Sequence, residues 1–185
     1  MPLLKKIVRQ CFIPSVLTFC FTLLTAQKQI TRENQIKAVF LFNFAQFVEW
    51  PRESFKETNT FVIGVLGNDP FGNYLDETIR GEEVNGHPLV VQRFRQIEDV
   101  KTCHILFINM PDVHQLKQAV ASLKSRSILT VSDAAGFTQQ GGMIRFFTED
   151  RKTRIRINLN AAKDADLAIS SKLLRLAEIV NPQKN

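Results

Sequence analysis

Apolar positions in the first part of this chain recur on both sides of one helix. Ile36 to Trp50 reads Ile-Lys-Ala-Val-Phe-Leu-Phe-Asn-Phe-Ala-Gln-Phe-Val-Glu-Trp and ends against Pro51. At about 100° per residue, Ile36, Val39, Phe40, Asn43, Phe44 and Phe47 share a face. Ala38, Leu41, Phe42, Ala45 and Val48 share the opposite one. A helix apolar all round needs cover on both sides, either as the centre of a core or as an interface with another molecule. Asn43 on its greasy face needs a hydrogen-bond partner.

Downstream the pattern changes period. Thr60 to Leu66 is a continuous apolar run, the mark of a strand covered on both faces. Asn73 to Arg80 reads as a short helix, Asn85-Gly86 as a turn, and Leu89–Phe94 and Cys103–Asn109 as strands. Val113, Leu116, Val120 and Leu123 give Asp112–Lys124 helical spacing, with Asp112 as N-cap after Pro111. Ile128–Val131 is a further strand, followed by a loop from Ala134 to Gly142. Met143–Phe147 and Arg154–Leu159 read as strands joined by the polar turn 148–152. In the second of these Arg154, Arg156 and Asn158 alternate with Ile155, Ile157 and Leu159, so one face is wet or interfacial. Asn160 is expected to cap a helix through Ala168, and Ser170 another ending near Val180, before Asn181-Pro182. The pattern predicts one α/β domain: a mixed, mostly parallel sheet with helices on both faces and a late β-hairpin.

Ahead of this pattern lies a leader. Met1 to Ala26 has a basic start (Lys5, Lys6, Arg9), an apolar run from Cys11 to Leu24, and the small pair Thr25-Ala26. This is the layout of a secretory signal peptide cleaved after Ala26, leaving residues 27–185 as a periplasmic domain. The run is shorter than the roughly 20 residues of a spanning helix and Pro14 interrupts it, so no membrane insertion is expected after cleavage. Bulky Phe19 before Cys20 speaks against a lipid anchor. Cleavage removes three basic and no acidic residues, lowering the formal net charge of +6 by three. The basic balance therefore partly reports targeting. With no Lys/Arg run interleaved with aromatics downstream, nucleic acid is excluded as a partner. Cys11 and Cys20 leave with the leader and Cys103 stays unpaired, so no internal disulfide is expected. Within its apolar run the Cys103 thiol reads as a small hydrophobe; an intermolecular disulfide or a catalytic thiol is the alternative.

Catalytic motifs are scarce. Gly67-Asn-Asp-Pro-Phe-Gly72 follows a strand, but Asn73-Tyr74 stand where a phosphate loop needs Lys then Ser/Thr, and Pro70 removes an N–H. A strand-to-helix turn capped by Asn68 or Asp69 is the simpler reading, with a small acidic ligand at the helix N-terminus as the other. His87, His104 and His114 lack metal-ligand spacing, and neither a metal nor a cofactor is expected. No Gly-x-Ser-x-Gly elbow occurs, and Ser132-Asp133 has no identifiable acid–base partner. Gly141-Gly142 reads as a loop using positive φ. Nothing in these residues commits to a reaction.

An ordered set of stretches resembles the YfiR family of exported signalling proteins. They are Ile36 to Pro51, Gly64-Val-Leu-Gly-Asn-Asp-Pro-Phe-Gly72, Cys103-His-Ile-Leu-Phe-Ile108 and Leu129-Thr-Val-Ser-Asp133. Gly136-Phe137, Gly141-Gly142-Met-Ile144, Ile157-Asn158 and Ile169-Ser-Ser-Lys-Leu-Leu174 continue the set in family order. The resemblance implies a periplasmic, non-enzymatic α/β protein that forms a homodimer. It implies repression of an inner-membrane diguanylate cyclase through the enzyme's periplasmic region, with an outer-membrane regulator as a further partner. Release would raise cyclic di-GMP and favour biofilm growth. Members of that family often carry a cysteine where this chain has Gly64, able to pair with the counterpart of Cys103, and some have a second pair late in the chain. Neither pair can form here.

Two functional classes follow. The leading one is a regulatory binding protein using Leu41, Phe42 and Ala45 of the first helix, the Phe137 loop, and Asp166, Leu167 and Ile169 as interface. The rival is a periplasmic small-ligand-binding module using Asn68, Asp69, Phe71 and Gly72 together with Gly141 and Gly142, at the carboxyl ends of strands. The two coexist if a ligand shifts partner affinity.

Overall fold

The computed structural model describes residues 30–180, and the leader with its cleavage point lies outside them. Helix α1 (Arg32–Phe47) is capped by Thr31, whose hydroxyl accepts from Asn34 N at 3.2 Å, and it gives way to a two-residue strand, β1 (Val48–Glu49). Next come β2 (Phe61–Gly67), α2 (Asn73–Ile79), β3 (Glu83–Val84), β4 (His87–Phe94), β5 (Ile105–Asn109) and α3 (Val113–Ser122). The chain continues through β6 (Leu129–Ser132), β7 (Ile144–Glu149), β8 (Lys152–Asn158), α4 (Leu159–Asp164), β9 (Ala168–Ile169), α5 (Ser171–Leu174) and β10 (Ala177–Val180).

Eight strands form one sheet in the order β10-β8-β7-β6-β5-β2-β4-β3. Only β7–β8 and β3–β4 pair antiparallel in it. This is the expected α/β architecture with its late hairpin. The hairpin turns on Asp150 and Arg151, both at positive φ (48° and 59°), the mirror-image turn that matches strand twist. Central strands bury both faces. Phe61, Ile63, Val65, Ile105 and Phe107 join a cluster with α1, α2 and the C-terminal Ala162, Ala165, Leu167 and Leu173. Val62, Leu66, Leu106 and Ile108 join a second with Leu116, Ala119, Val120 and Leu123 around α3. Strands β7, β8 and β10 contribute no apolar side chain to that second cluster: on the face turned from α1, Asn158 is buried near the end of α3, while Arg145, Phe147 and Arg156 are half-buried.

The C-terminal end differs from expectation. The helix read as capped by Asn160 begins earlier, because Asn158 Oδ1 accepts from Ala161 N at 3.1 Å, and it ends at Asp164 rather than Ala168. Ala168 and Ile169 instead pair antiparallel with Glu49 and Val48. Ser170 does cap a helix, but α5 stops at Leu174, and the expected continuation to Val180 is β10, in parallel register with Ile155 to Asn158. The helix-favouring Leu-Ala-Glu sequence yields there to sheet pairing, as local propensity does when tertiary hydrogen bonds compete.

Candidate functional site

Among the described residues, helix α1 is fully buried on one side only. Ala38, Leu41, Phe44 and Ala45 are sealed in the chain's own core, together with Lys37. Lys37 Nζ meets Glu33 Oε1 one turn back and Asp133 Oδ2 beyond β6, both at 2.8 Å. Burial opposes its charge, but the hydrogen bonds and attraction of the two carboxylates prevail and hold the ammonium above its ordinary value. The uncovered stripe is Ile36 and Val39, 37% and 41% exposed, beside half-buried Phe40 and Asn43. With Arg32, Gln35 and Tyr74 these residues line a groove of about 370 Å³, so the Asn43 amide is not sealed in the core. The expected interface on Leu41 and Ala45 is corrected: the helix turns that face to the sheet, and only Phe42 of the three keeps partial exposure.

The other expected interface residues divide in the same way. Phe137 is 0% exposed and packs in the α3 cluster, and Leu167 is 2% exposed in the α1 cluster, so both are core rather than surface. Asp166 is exposed and Ile169 half-buried. Their segment clamps the end of α1: Ile169 pairs with Val48, and Ser170 N donates to Phe47 O at 2.9 Å.

Asp69 is fully engaged in its own turn. Its Oδ1 accepts from Phe71 N at 2.7 Å and Gly72 N at 3.2 Å, while Oδ2 accepts from Arg93 Nε at 2.7 Å. Arg93 also donates to Gly72 O at 2.8 Å and pairs with Asp76; that pairing, with Asp69, raises its guanidinium further above the ordinary value despite burial. Phe71 is buried in the α1 cluster. Asn68 N donates to Asn109 O at 3.0 Å, and Asn109 Nδ2 returns a bond to Asn68 O at 2.9 Å. These two bonds staple the loops after β2 and β5, where the sheet reverses its winding and a ligand would otherwise enter. Gly141 lies elsewhere, against Val120 on the α3 side. It lines a cavity of about 330 Å³ with Val120, Leu123, Thr130, Met143 and Asn158. Gly142 is a packing requirement, since a Cβ there would overlap the Phe137 ring. The two expected ligand loops are therefore not brought together.

Sequence reasoning gave little weight to the residues around the start of β5. His104 is buried there, its Nδ1 accepting from Val62 N at 3.0 Å and its ring stacked on Phe61 and Phe55. Neighbouring Cys103 is a free, buried thiol, pushed up to about 12 by desolvation against weaker backbone hydrogen bonds, and so a small hydrophobe rather than a nucleophile. No cluster of metal-ligating side chains occurs among the described residues. No curated protein matches the chain. The YfiR/HmsC-like family model matches residues 34–178, from inside α1 into β10. That match covers most of the sequence, and the protein belongs to the YfiR/HmsC-like family.

Proposed function

We propose that the chain is a periplasmic regulatory protein, without catalysis of its own, that binds and represses an inner-membrane diguanylate cyclase through that enzyme's periplasmic region. It would act as a homodimer and so restrain cyclic di-GMP and biofilm growth. Family membership supports the regulatory role. The observation that carries the binding role is the uncovered Ile36–Val39 stripe of α1, apolar surface that a partner or second copy would cover. Among the described residues no helix is long and apolar enough to cross a membrane. Deleting the chain is expected to raise cyclic di-GMP. The double variant Ile36→Glu/Val39→Glu should do the same while melting close to the parent, since both side chains already meet water. Unchanged cyclic di-GMP in the deletion strain defeats the proposal. Leu167→Glu would instead test folding, because it places a charge in the core.

The cavity beside Gly141 favours a second, compatible reading in which a small molecule tunes partner affinity. Gln140 on its wall keeps a buried side-chain oxygen without a donor among the described residues. A thermal-shift screen should find a ligand whose stabilisation disappears in Ala121→Trp, a bulky change at the cavity's exposed rim. A ligand that stabilises both proteins equally, or none at all, rejects this reading.

A further inference from the structure

Strands β7 and β8 set two half-buried arginines side by side on the sheet face turned away from α1. Arg145 and Arg156 are direct antiparallel partners. Like charges opposite one another across a strand pair are destabilising. Both Nε–H groups are buried, and neither has an acceptor among the described residues. Buried donors are nearly always satisfied, so this pair marks a place where acceptors are missing.

The surroundings look arranged rather than accidental. Arg156 Nη2 pairs with Glu178 Oε2 of β10 at 2.7 Å, and its guanidinium lies 4.7 Å from the Phe147 ring centroid. Arg145 has no such holder among the described residues. Phe147, Arg154, Arg175 and Glu178 line an adjoining groove of about 320 Å³. Along these strands, their turn and their flank the described residues set Arg145, Arg151, Lys152, Arg154, Arg156 and Arg175 against Glu149, Asp150 and Glu178.

We propose that this sheet face docks an acidic, extended segment of a partner protein, with one carboxylate of that segment entering between Arg145 and Arg156. A carboxylate has two oxygens and suits paired guanidinium donors. A second copy is disfavoured, because two-fold pairing would lay cations on cations. A continuous anionic bilayer would meet Glu149 and Glu178 as repulsion, whereas carboxylates spaced along a peptide can pass between them. The inference deepens the regulatory reading by giving the partner's segment a charge sign, and it rests on that reading for the partner's identity.

The test titrates the purified protein with a fluorescent, end-capped hexaglutamate peptide. Saturable, salt-weakened binding is expected, with movement of the Arg145 and Arg156 Nε–H signals in nitrogen-edited NMR. Arg145→Gln and Arg156→Gln should each weaken binding by about tenfold, as loss of a charge-assisted contact does. Arg80→Gln, the same charge change at an exposed site after α2, should leave binding nearly unchanged. Without peptide, Arg145→Gln should melt higher than the parent, because a like-charge neighbour and an unsatisfied donor leave together. Four results overturn the proposal: no peptide binding, equal weakening by Arg80→Gln, a lower melting temperature for Arg145→Gln, or binding of phosphatidylglycerol vesicles without binding of the peptide. Unchanged cyclic di-GMP on deletion would remove the cyclase as partner while leaving the peptide result standing.

Discussion

Urea unfolding followed down the pH scale is expected to lose at most about 3 kcal/mol of stability between pH 6.5 and about 4, and His104→Asn is expected to remove most of that loss. Because His104 Nδ1 accepts from Val62 N, its proton sits on Nε2, which faces Ser54 O at 3.2 Å. The ring lies 4.6 Å from that of Phe61 and 4.7 Å from that of Phe55. Desolvation pushes its pKa down from 6.5 to about 4, the Ser54 carbonyl opposing and His87 adding a little. The folded protein therefore keeps His104 neutral down to about pH 4, while the unfolded chain takes up the proton below 6.5. The stabilisation is whole above 6.5 and is lost as pH falls toward 4. Asparagine preserves an acceptor for Val62 N but cannot titrate. Carboxylates protonate in the lower part of this range in both proteins, so the readout is the difference between the two slopes. Parallel slopes would show that His104 is not the source.

Gly64→Cys is expected to close a disulfide with Cys103. A Cβ built on Gly64 falls 2.8 Å from Cys103 Sγ, which puts the two positions within bonding reach across β2 and β5. It also falls 2.7 Å from Leu106 Cδ1 and 2.8 Å from Phe94 Cε2, both ends of side chains that must give way. Reduced, the variant should be less stable than the parent by about 1–3 kcal/mol, the usual effect of overpacking. Oxidised, it should gain about 3–4 kcal/mol over its reduced form, the loop-closure value for a ring of this size. Equilibrium unfolding with and without reductant gives both differences, and a thiol assay under denaturing conditions counts the free sulfurs. Two free thiols after oxidation would show that the strands cannot accommodate the bond. With glycine at position 64, Cys103 has no disulfide partner among the described residues and stays buried and protonated.

The strands and helices with strong period or clear caps were legible in the sequence. β2, β5 and α3 follow directly from unbroken apolar runs, from i, i+3, i+4 spacing, and from Asp112, whose Oδ1 caps His114 N at 2.8 Å and Gln115 N at 2.9 Å. The two-residue strands β1, β3 and β9 were not legible, because pairs of residues carry no period and exist only through their partners. The apolar surplus of α1 was visible, but not which face would be left over. That choice depends on long-range partners, the core packed against Ala38, Leu41, Phe44 and Ala45 and the Lys37–Asp133 ion pair. The alternation on β8 marked Arg154 and Arg156 as facing water or a partner. It could not reveal that Arg145 would stand opposite Arg156, since that depends on the register of the hairpin. The Asn68–Gly72 turn looks in sequence like a ligand loop because glycine, proline and aspartate serve ligands and tight turns alike. Only the hydrogen bonds to Arg93 and Asn109 separate the two uses.

The pairing of Val48 with Ile169 also has a consequence for how the chain reaches this fold. Synthesis begins at the N-terminus, so α1 is complete long before its clamp has been made. Until Ala168, Ile169 and Ser170 arrive, Val48 and Glu49 have no strand partner and Phe47 O lacks its donor. Closure joins segments far apart in sequence, the kind of contact that slows folding. During that interval α1 is the stretch a chaperone would most need to shield.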